Sequence, residues 1–194
     1  LAKAREWAVR CTHEAMMHKS SSFLTLTFSE AGLVGRQNKY NDKDKTDIYS
    51  LNVKDFQNFM KRLRKYIKKH CYHTNNEISY YHCGEYGEIN NRPHYHALLF
   101  GYDFPDKYVW YKGKDKSKNL YRSEILEKLW PHGNSLIGNV TYESASYVAR
   151  YVMKKINGKQ QEEHYEGVTP EYATMSRGKK NAIGYRWYSK YGLS

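Results

Sequence analysis

The sequence is poor in cysteine and has no long apolar run, and each shortage removes a class of protein. Cys11, Cys71 and Cys83 are the only cysteines in 194 residues, an odd number with no C-x-x-C pair, which argues against a disulfide scaffold and for reduced thiols. Cys11 with His13, and His70 with Cys71 and His73, each resemble half of a zinc site. Neither has a second half at finger spacing, which argues against structural zinc. No apolar stretch approaches the roughly 20 residues of a membrane span. The opening LAKAREWAVRC is charged and amphipathic, unlike a secretory leader. A soluble intracellular protein without a membrane partner is expected. The first residue is not Met, so an N-terminally truncated chain is also expected. Neither an internal repeat nor a dividing linker is present, and this length suits one core, so a single domain over residues 1–194 is expected.

Acidic residues are scarce beside basic ones, 20 Asp+Glu against 32 Lys+Arg, for a net charge of +12. Such an excess favours a polyanionic partner, because each phosphate neutralised releases counterions. The 20 tyrosines point the same way, since aromatics among cations stack unpaired bases. Tyrosine is also a good strand residue, so charge and composition alone do not separate nucleic-acid binding from an ordinary basic domain.

Periodicity supplies the elements. Ala4, Trp7, Ala8, Cys11 and Ala15 recur at three or four residues and predict an amphipathic helix over residues 1–18. Phe23–Phe28 has strand density, and GRQNKYNDKDKTDIYS reads as an exposed loop. Asn52 is placed to cap a helix whose buried face is Val53, Phe56, Phe59, Met60, Leu63 and Ile67, with Asp55 in the first turn where the dipole favours it. Its opposite face is a row of Lys and Arg, either solvated or in contact with phosphate. ISYYHCGEY and HYHALLFG predict a hairpin joined by GEINNRP. Residues 105–120 read as a lysine-rich loop. SEILEKLW predicts a short helix capped by Ser123 and ended by Pro131, GNSLIGNVTY a strand, and ESASYVARYVMKKI a helix. Beyond Gly158 the chain is polar until IGYRWYSKYG. This order is not βαβ alternation. It predicts an α+β fold, an antiparallel sheet with helices on one face and the other face left for a ligand.

Side chains alternate along a strand, so His94 and His96 share a face while Tyr95 takes the other. Two imidazoles two residues apart converge above a sheet, the geometry a divalent cation needs. A third ligand is expected from the neighbouring strand. Glu85 lies across the hairpin, in parity with Ser79, Tyr81 and Cys83, whereas Glu88 is nearer in sequence but falls in the turn. The alternative is an H-x-H pair on a surface with no ligand.

Tyr147 and Tyr151 are four apart on one predicted helix, with Lys154 and Lys155 following and Arg150 close by. A phenolate attacks a phosphodiester when its proton is lost and its charge is met, and a divalent metal supplies the electrophilic half. A nearby ammonium lowers the phenol pKa or holds the phosphate. The plainer alternative is that Tyr147, Val148, Tyr151 and Val152 simply pack on the sheet.

CGEYGE, then HYH, then YVARYVMK, with the FLTLTF strand ahead of them, together resemble the HUH endonucleases, and more closely the replication initiation proteins of gokushovirus-type microviruses. The resemblance runs from about Arg5 to Tyr188. It implies a ferredoxin-like or RRM-like antiparallel sheet with the active site on its open face. It implies rolling-circle replication, in which one strand is nicked at the origin through a 5′-phosphotyrosine and a free 3′-OH, and the displaced strand is later rejoined. In these terms His94, His96 and Glu85 hold a divalent ion, Mn²⁺ or Mg²⁺. Tyr147 and Tyr151 are the nucleophiles, with Lys154 and Lys155 beside them. Arg150, Arg92, Thr25 and Thr27 contact DNA. Lys154 fits the lysine expected three residues after a nucleophilic tyrosine, whereas Arg150 stands in that position after Tyr147 and still binds phosphate bidentately. The implied partners are single-stranded DNA at a phage origin and the host helicase and polymerase, in the cytoplasm of an infected bacterium. A non-catalytic nucleic-acid-binding module on an RRM-like sheet, or a related transposase or relaxase, is the competing expectation.

Overall fold

The computed structural model describes residues 2–40, 48–71, 78–87, 90–154, 167–176 and 182–192, the side chains of 37–40 and 151–154 excepted. Seven strands form one antiparallel sheet in the order β4-β5-β6-β1-β3-β2-β7. They are β1 Ser21–Thr27, β2 Ser79–Tyr86, β3 Pro93–Phe100, β4 Tyr108–Tyr111, β5 Leu120–Arg122, β6 Ser135–Gly138 and β7 Tyr172–Met175. The described helices are α1 Ala2–Met16, α2 Glu30–Tyr40, α3 Val53–His70, α4 Glu124–Leu129, α5 Tyr142–Lys154 and α6 Tyr185–Tyr191. The inner strands β6-β1-β3-β2, linked through α3 and α4, have the ferredoxin-like βαββαβ order.

The strands bury what their alternation says they should. β1 alternates strictly, with Leu24 and Leu26 fully buried on one face. That face meets α3, whose Phe56, Phe59, Met60, Leu63 and Ile67 join Tyr95, Ala97, Leu99 and Trp130 in the larger core. Each such side chain contributes about 2 kcal/mol on burial, several times the propensity difference between one helix former and another. Packing therefore holds α3 in place, with its start fixed by Asn52, whose side chain accepts from the Lys54 N–H at 3.0 Å. Ser123 caps α4 in the same way, at 3.1 Å from the Leu126 N–H.

The face that carries the histidines is not bare. Ala8 and Cys11 of α1 and Ala145 and Val148 of α5 pack on its apolar half, against Tyr81, Cys83, Leu98 and Phe100. Small residues on both helices let them lie close to each other and to the sheet. At the far end of α1, buried Glu14 accepts from Ser79 at 3.0 Å and from the Gly184 N–H at 2.9 Å, and His13 stacks on Trp187 of α6 at 3.6 Å. The ligand face left by α3 and α4 is thus partly roofed, and what stays available is the end of β3 and β2 where His94, His96 and Glu85 emerge.

Three elements depart from the sequence expectation. Residues 30–40 form α2 where a loop was expected from position 35 on. Gly32 and Gly35 suggest a turn, but a Cβ at Gly32 would sit 1.7 Å from the His132 carbonyl oxygen, so that glycine serves close packing. The expected loop 105–120 contains β4, and the polar stretch after Gly158 contains β7; both are four-residue strands whose pairing is long-range. Asp55 does more than meet a helix dipole. It is buried, paired with Arg36 at 2.9 Å and accepting from the Tyr95 hydroxyl at 2.8 Å.

Candidate active site

Strand register builds the site. Glu85 lies opposite His94 across β2–β3, Cys83 opposite His96, and Thr25 and Thr27 of β1 opposite His96 and His94. All of these side chains project from one face because cross-strand partners share it. On the reverse face Tyr95, between the histidines, donates to Asp55 and accepts from the Asn52 N–H at 2.9 Å. That anchor ties β3 to the start of α3 and fixes how the two imidazoles are presented.

His96 and Glu85 are both buried and meet directly, Nε2 to Oε1 at 2.6 Å. The other ring nitrogen of His96, Nδ1, is 3.1 Å from the Thr25 hydroxyl. A hydroxyl both donates and accepts, so Thr25 suits either tautomer of His96. Phe23 lies along the His96 ring, with centroids 5.8 Å apart. His94 is half-buried, and its Nδ1 is 2.6 Å from the Arg92 carbonyl. A carbonyl only accepts, so Nδ1 carries the hydrogen and Nε2 keeps its lone pair. Gly87 makes room for this ring, since a Cβ there would come within 2.7 Å of His94 Cε1.

α5 brings the phenol. The Tyr147 hydroxyl donates to Glu85 Oε1 at 3.0 Å, the same oxygen that faces His96. Its ring meets His96 edge-on at 4.9 Å, and the Arg150 guanidinium lies 5.9 Å from the ring centroid. Tyr151 and Lys154 fall on the last turn of α5, where side chains are not described, and Lys155 lies outside the described residues. Thr27 donates to the Asn134 carbonyl at 3.3 Å, and Arg92 pairs with Glu30 at 2.6 Å on the surface.

The residues can be tested for a cation by their donor chemistry. Among the described residues no three of His, Cys, Asp and Glu are already drawn into a ligand cluster. The tautomers nonetheless suit one. His94 spends Nδ1–H on a backbone carbonyl, as metal-ligating histidines commonly do, and His96 has a hydroxyl at Nδ1. Their Nε2 atoms and the Glu85 carboxylate are chemically the set that holds Mn²⁺ and related ions. Burial, with help from Glu85, pushes the neighbouring Cys83 thiol well up, which keeps it a neutral packing group.

Sequence reasoning brought together His94, His96, Glu85 and Tyr147. It missed Phe23 and Gly87, and it assigned Thr25 to DNA where the structure places its hydroxyl on His96. The signal for both β1 residues was their parity with Thr27, readable once β1 is set beside β3.

A histidine pair on a sheet, a facing carboxylate and a tyrosine-bearing helix define the arrangement that the HUH resemblance implied. The chain belongs to the replication-associated protein ORF2 family, whose model matches residues 21–156. It is 36% identical over 193 residues to the replication-associated protein VP4 of Bdellovibrio phage phiMH2K, covering 98% of this chain and 55% of that protein. It is 31% identical to the replication-associated protein ORF2 of Spiroplasma virus 4, over 97% of this chain and 53% of that one. A third relative, the replication-associated protein ORF4 of Chlamydia phage 1, is 31% identical over 79% of this chain and 35% of its own length. The chain thus spans about half the length of the first of these relatives or less. No solved structure matches it. No helix among the described residues is long and apolar enough to cross a membrane.

Proposed function

We propose that this chain is a metal-dependent, site-specific single-stranded DNA endonuclease and strand transferase that initiates rolling-circle replication of a phage genome. The observation that carries the reading is the Tyr147 hydroxyl donating to Glu85 Oε1 at 3.0 Å, while His96 Nε2 lies 2.6 Å from that same oxygen. Tyr147 attacks the scissile phosphorus, and the bond to the 3′-oxygen breaks. The 5′-phosphate stays on tyrosine, and the departing 3′-oxygen takes a proton and becomes the primer hydroxyl. The phenol proton passes toward Glu85, which already accepts its hydrogen bond. Arg150, with Lys154 and Lys155 beyond it, meets the phosphate charge. Tyr151, one turn along, serves the second cut, after which the displaced strand is rejoined.

His94 and His96, through Nε2, and Glu85 are the residues that would hold Mn²⁺ or Mg²⁺. When bound, the ion polarises the scissile phosphate. In this reading Arg92 and Thr27 lie along the path of the DNA, and Thr25 acts through His96. The partners are single-stranded DNA at a phage origin and the host helicase and polymerase, in the cytoplasm of the infected bacterium.

The test is incubation with origin-like oligonucleotides and Mn²⁺ or Mg²⁺, followed by a denaturing gel. A shifted covalent species, lost in Tyr147→Phe/Tyr151→Phe and with chelator, is expected; none across many sequences would overturn the reading. One observation favours a second reading, a non-catalytic single-strand-binding module: the Tyr147 ring packs edge-on against Phe23 at 6.4 Å, as a core aromatic would. That module forms no adduct and binds equally well with chelator.

A further inference from the structure

Away from the site, the outer edge of the sheet exposes aromatic surface of a kind that soluble domains normally bury. Tyr108, Trp110 and Tyr111 of β4 are 50%, 58% and 60% exposed. Over residues 107–122 the cations are Lys107, Lys112, Lys114, Lys116, Lys118 and Arg122, against Asp115 alone as an acid.

The register shows which way these rings face. Leu24, in the core under α3, pairs with Ile137, and Ile137 pairs with Tyr121. Tyr121 therefore points to the α3 side, and its neighbours Leu120 and Arg122 point to the histidine side. Tyr108 pairs with Arg122 and Tyr111 with Leu120, so both stand on the histidine side. A register shift between Val109 and Tyr111 leaves Trp110 as the extra residue, and the Arg122 guanidinium lies 4.8 Å from its ring centroid. A regular strand would have sent Tyr108 and Tyr111 to opposite faces. The bulge gathers all three rings on one face, which is what bulges at sheet edges commonly do.

We infer that the β4 edge is a stacking platform for single-stranded DNA, continuing the histidine face outward. Exposed rings flanked by cations, with an Arg already over the indole, have the chemistry that binds unpaired bases without regard to sequence. Charge favours a polyanion over a second copy of this chain, because lysines along an edge strand oppose edge-to-edge pairing. β4 is four strand spacings from β3, roughly 19 Å at about 4.8 Å each. That span takes about five or six nucleotides at ~3.4 Å, and fewer if the strand is extended. This inference rests on the DNA reading above, but it is read out by binding and not by cleavage.

The test is fluorescence anisotropy of a labelled 20-nucleotide oligothymidylate with Tyr147→Phe protein, carrying either Trp110→Ala/Tyr111→Ala or Trp110→Phe. The double substitution is expected to weaken binding about tenfold or more, with an unchanged unfolding midpoint, while Trp110→Phe keeps most of the affinity. Lys114→Gln/Lys118→Gln should flatten the salt dependence by up to about one unit of slope for each phosphate no longer neutralised. Affinity unchanged by the double substitution would overturn the platform and leave the cleavage reading standing. So would a dimer in sedimentation that Trp110→Ala/Tyr111→Ala makes monomeric. Failure of the wild-type chain to form a covalent adduct would remove the cleavage reading and leave the platform to the binding result.

Discussion

His82 and His96 sit on adjacent strands but on opposite faces of the sheet, since the residue across from His96 is Cys83. His82 turns toward α3, stacks flat on Phe56 at 3.7 Å, and has Thr174 at Nδ1 at 2.8 Å, while its buried Nε2 has no hydrogen-bond partner. Burial alone pushes its pKa down to about 3, so it stays a neutral ring among rings. His96 turns the other way and finds a carboxylate, a hydroxyl and a phenol around it. The same side chain is therefore core on one face and chemistry on the other. What separates them is which helix lies above: α3 brings phenylalanines, whereas α5 brings Tyr147.

Breaking the reactive side should give the largest effect. His96→Ala is expected to lower cleavage by well over ~100-fold, beyond the range of changes to residues that only orient a ligand, while oligonucleotide binding falls far less, since phosphate contacts and stacking supply most of it. Equal losses in a cleavage assay and in anisotropy would blur the contrast between the faces. Arg36→Met attacks the other face. It leaves Asp55 buried without its guanidinium and should cost about 3–5 kcal/mol in urea unfolding. Thr25→Val removes the hydroxyl at His96 Nδ1 and should reduce cleavage roughly 10-fold to 100-fold with little change in stability, measured by initial rates beside the urea midpoint.

The smallest effect is the pH dependence owed to His82. Its folded pKa, about 3, lies below its ordinary 6.5, so between these values the unfolded chain binds the extra proton. Its share of stability is complete above pH 6.5 and declines as pH falls toward 3, by at most about 1.4 kcal/mol per pH unit. Glu14 adds in the same direction. Burial works to raise its pKa, but the hydrogen bonds from His18, the Gly184 N–H and Ser79 outweigh it and hold it below the usual value, so its contribution is lost as acid protonates it. A His82→Phe variant should flatten the upper part of the profile, read as unfolding free energy at a series of pH values.

The alternation of FLTLTF, the parity of Glu85 with Cys83 and the H-x-H pair placed the reactive side chains on one face before any coordinates, because a period of two is enough for that. The caps at Asn52 and Ser123 were legible for the same local reason. What was not legible is non-local. Nothing in α1 says that Glu14 will be buried against Ser79 and Gly184, and nothing near Asp55 announces Arg36. Gly32 looked like a loop residue although its purpose is close contact with residue 132. β4 and β7 are too short to carry a period, and their identity comes only from the strands they meet. Thr25 looked like a DNA contact because its hydrogen-bond partner lies 71 residues away.

The central claim is best tested by finding which tyrosine carries the DNA. Trypsin cuts after Lys128 and Arg150, so Tyr147 falls in peptide 129–150, and Tyr151 begins the next. After reaction with an origin-like oligonucleotide and nuclease trimming, mass spectrometry should find a nucleotide remnant on peptide 129–150, with fragmentation placing it at Tyr147. A remnant confined to any other tyrosine, or none on a chain that binds the oligonucleotide well, would contradict the account.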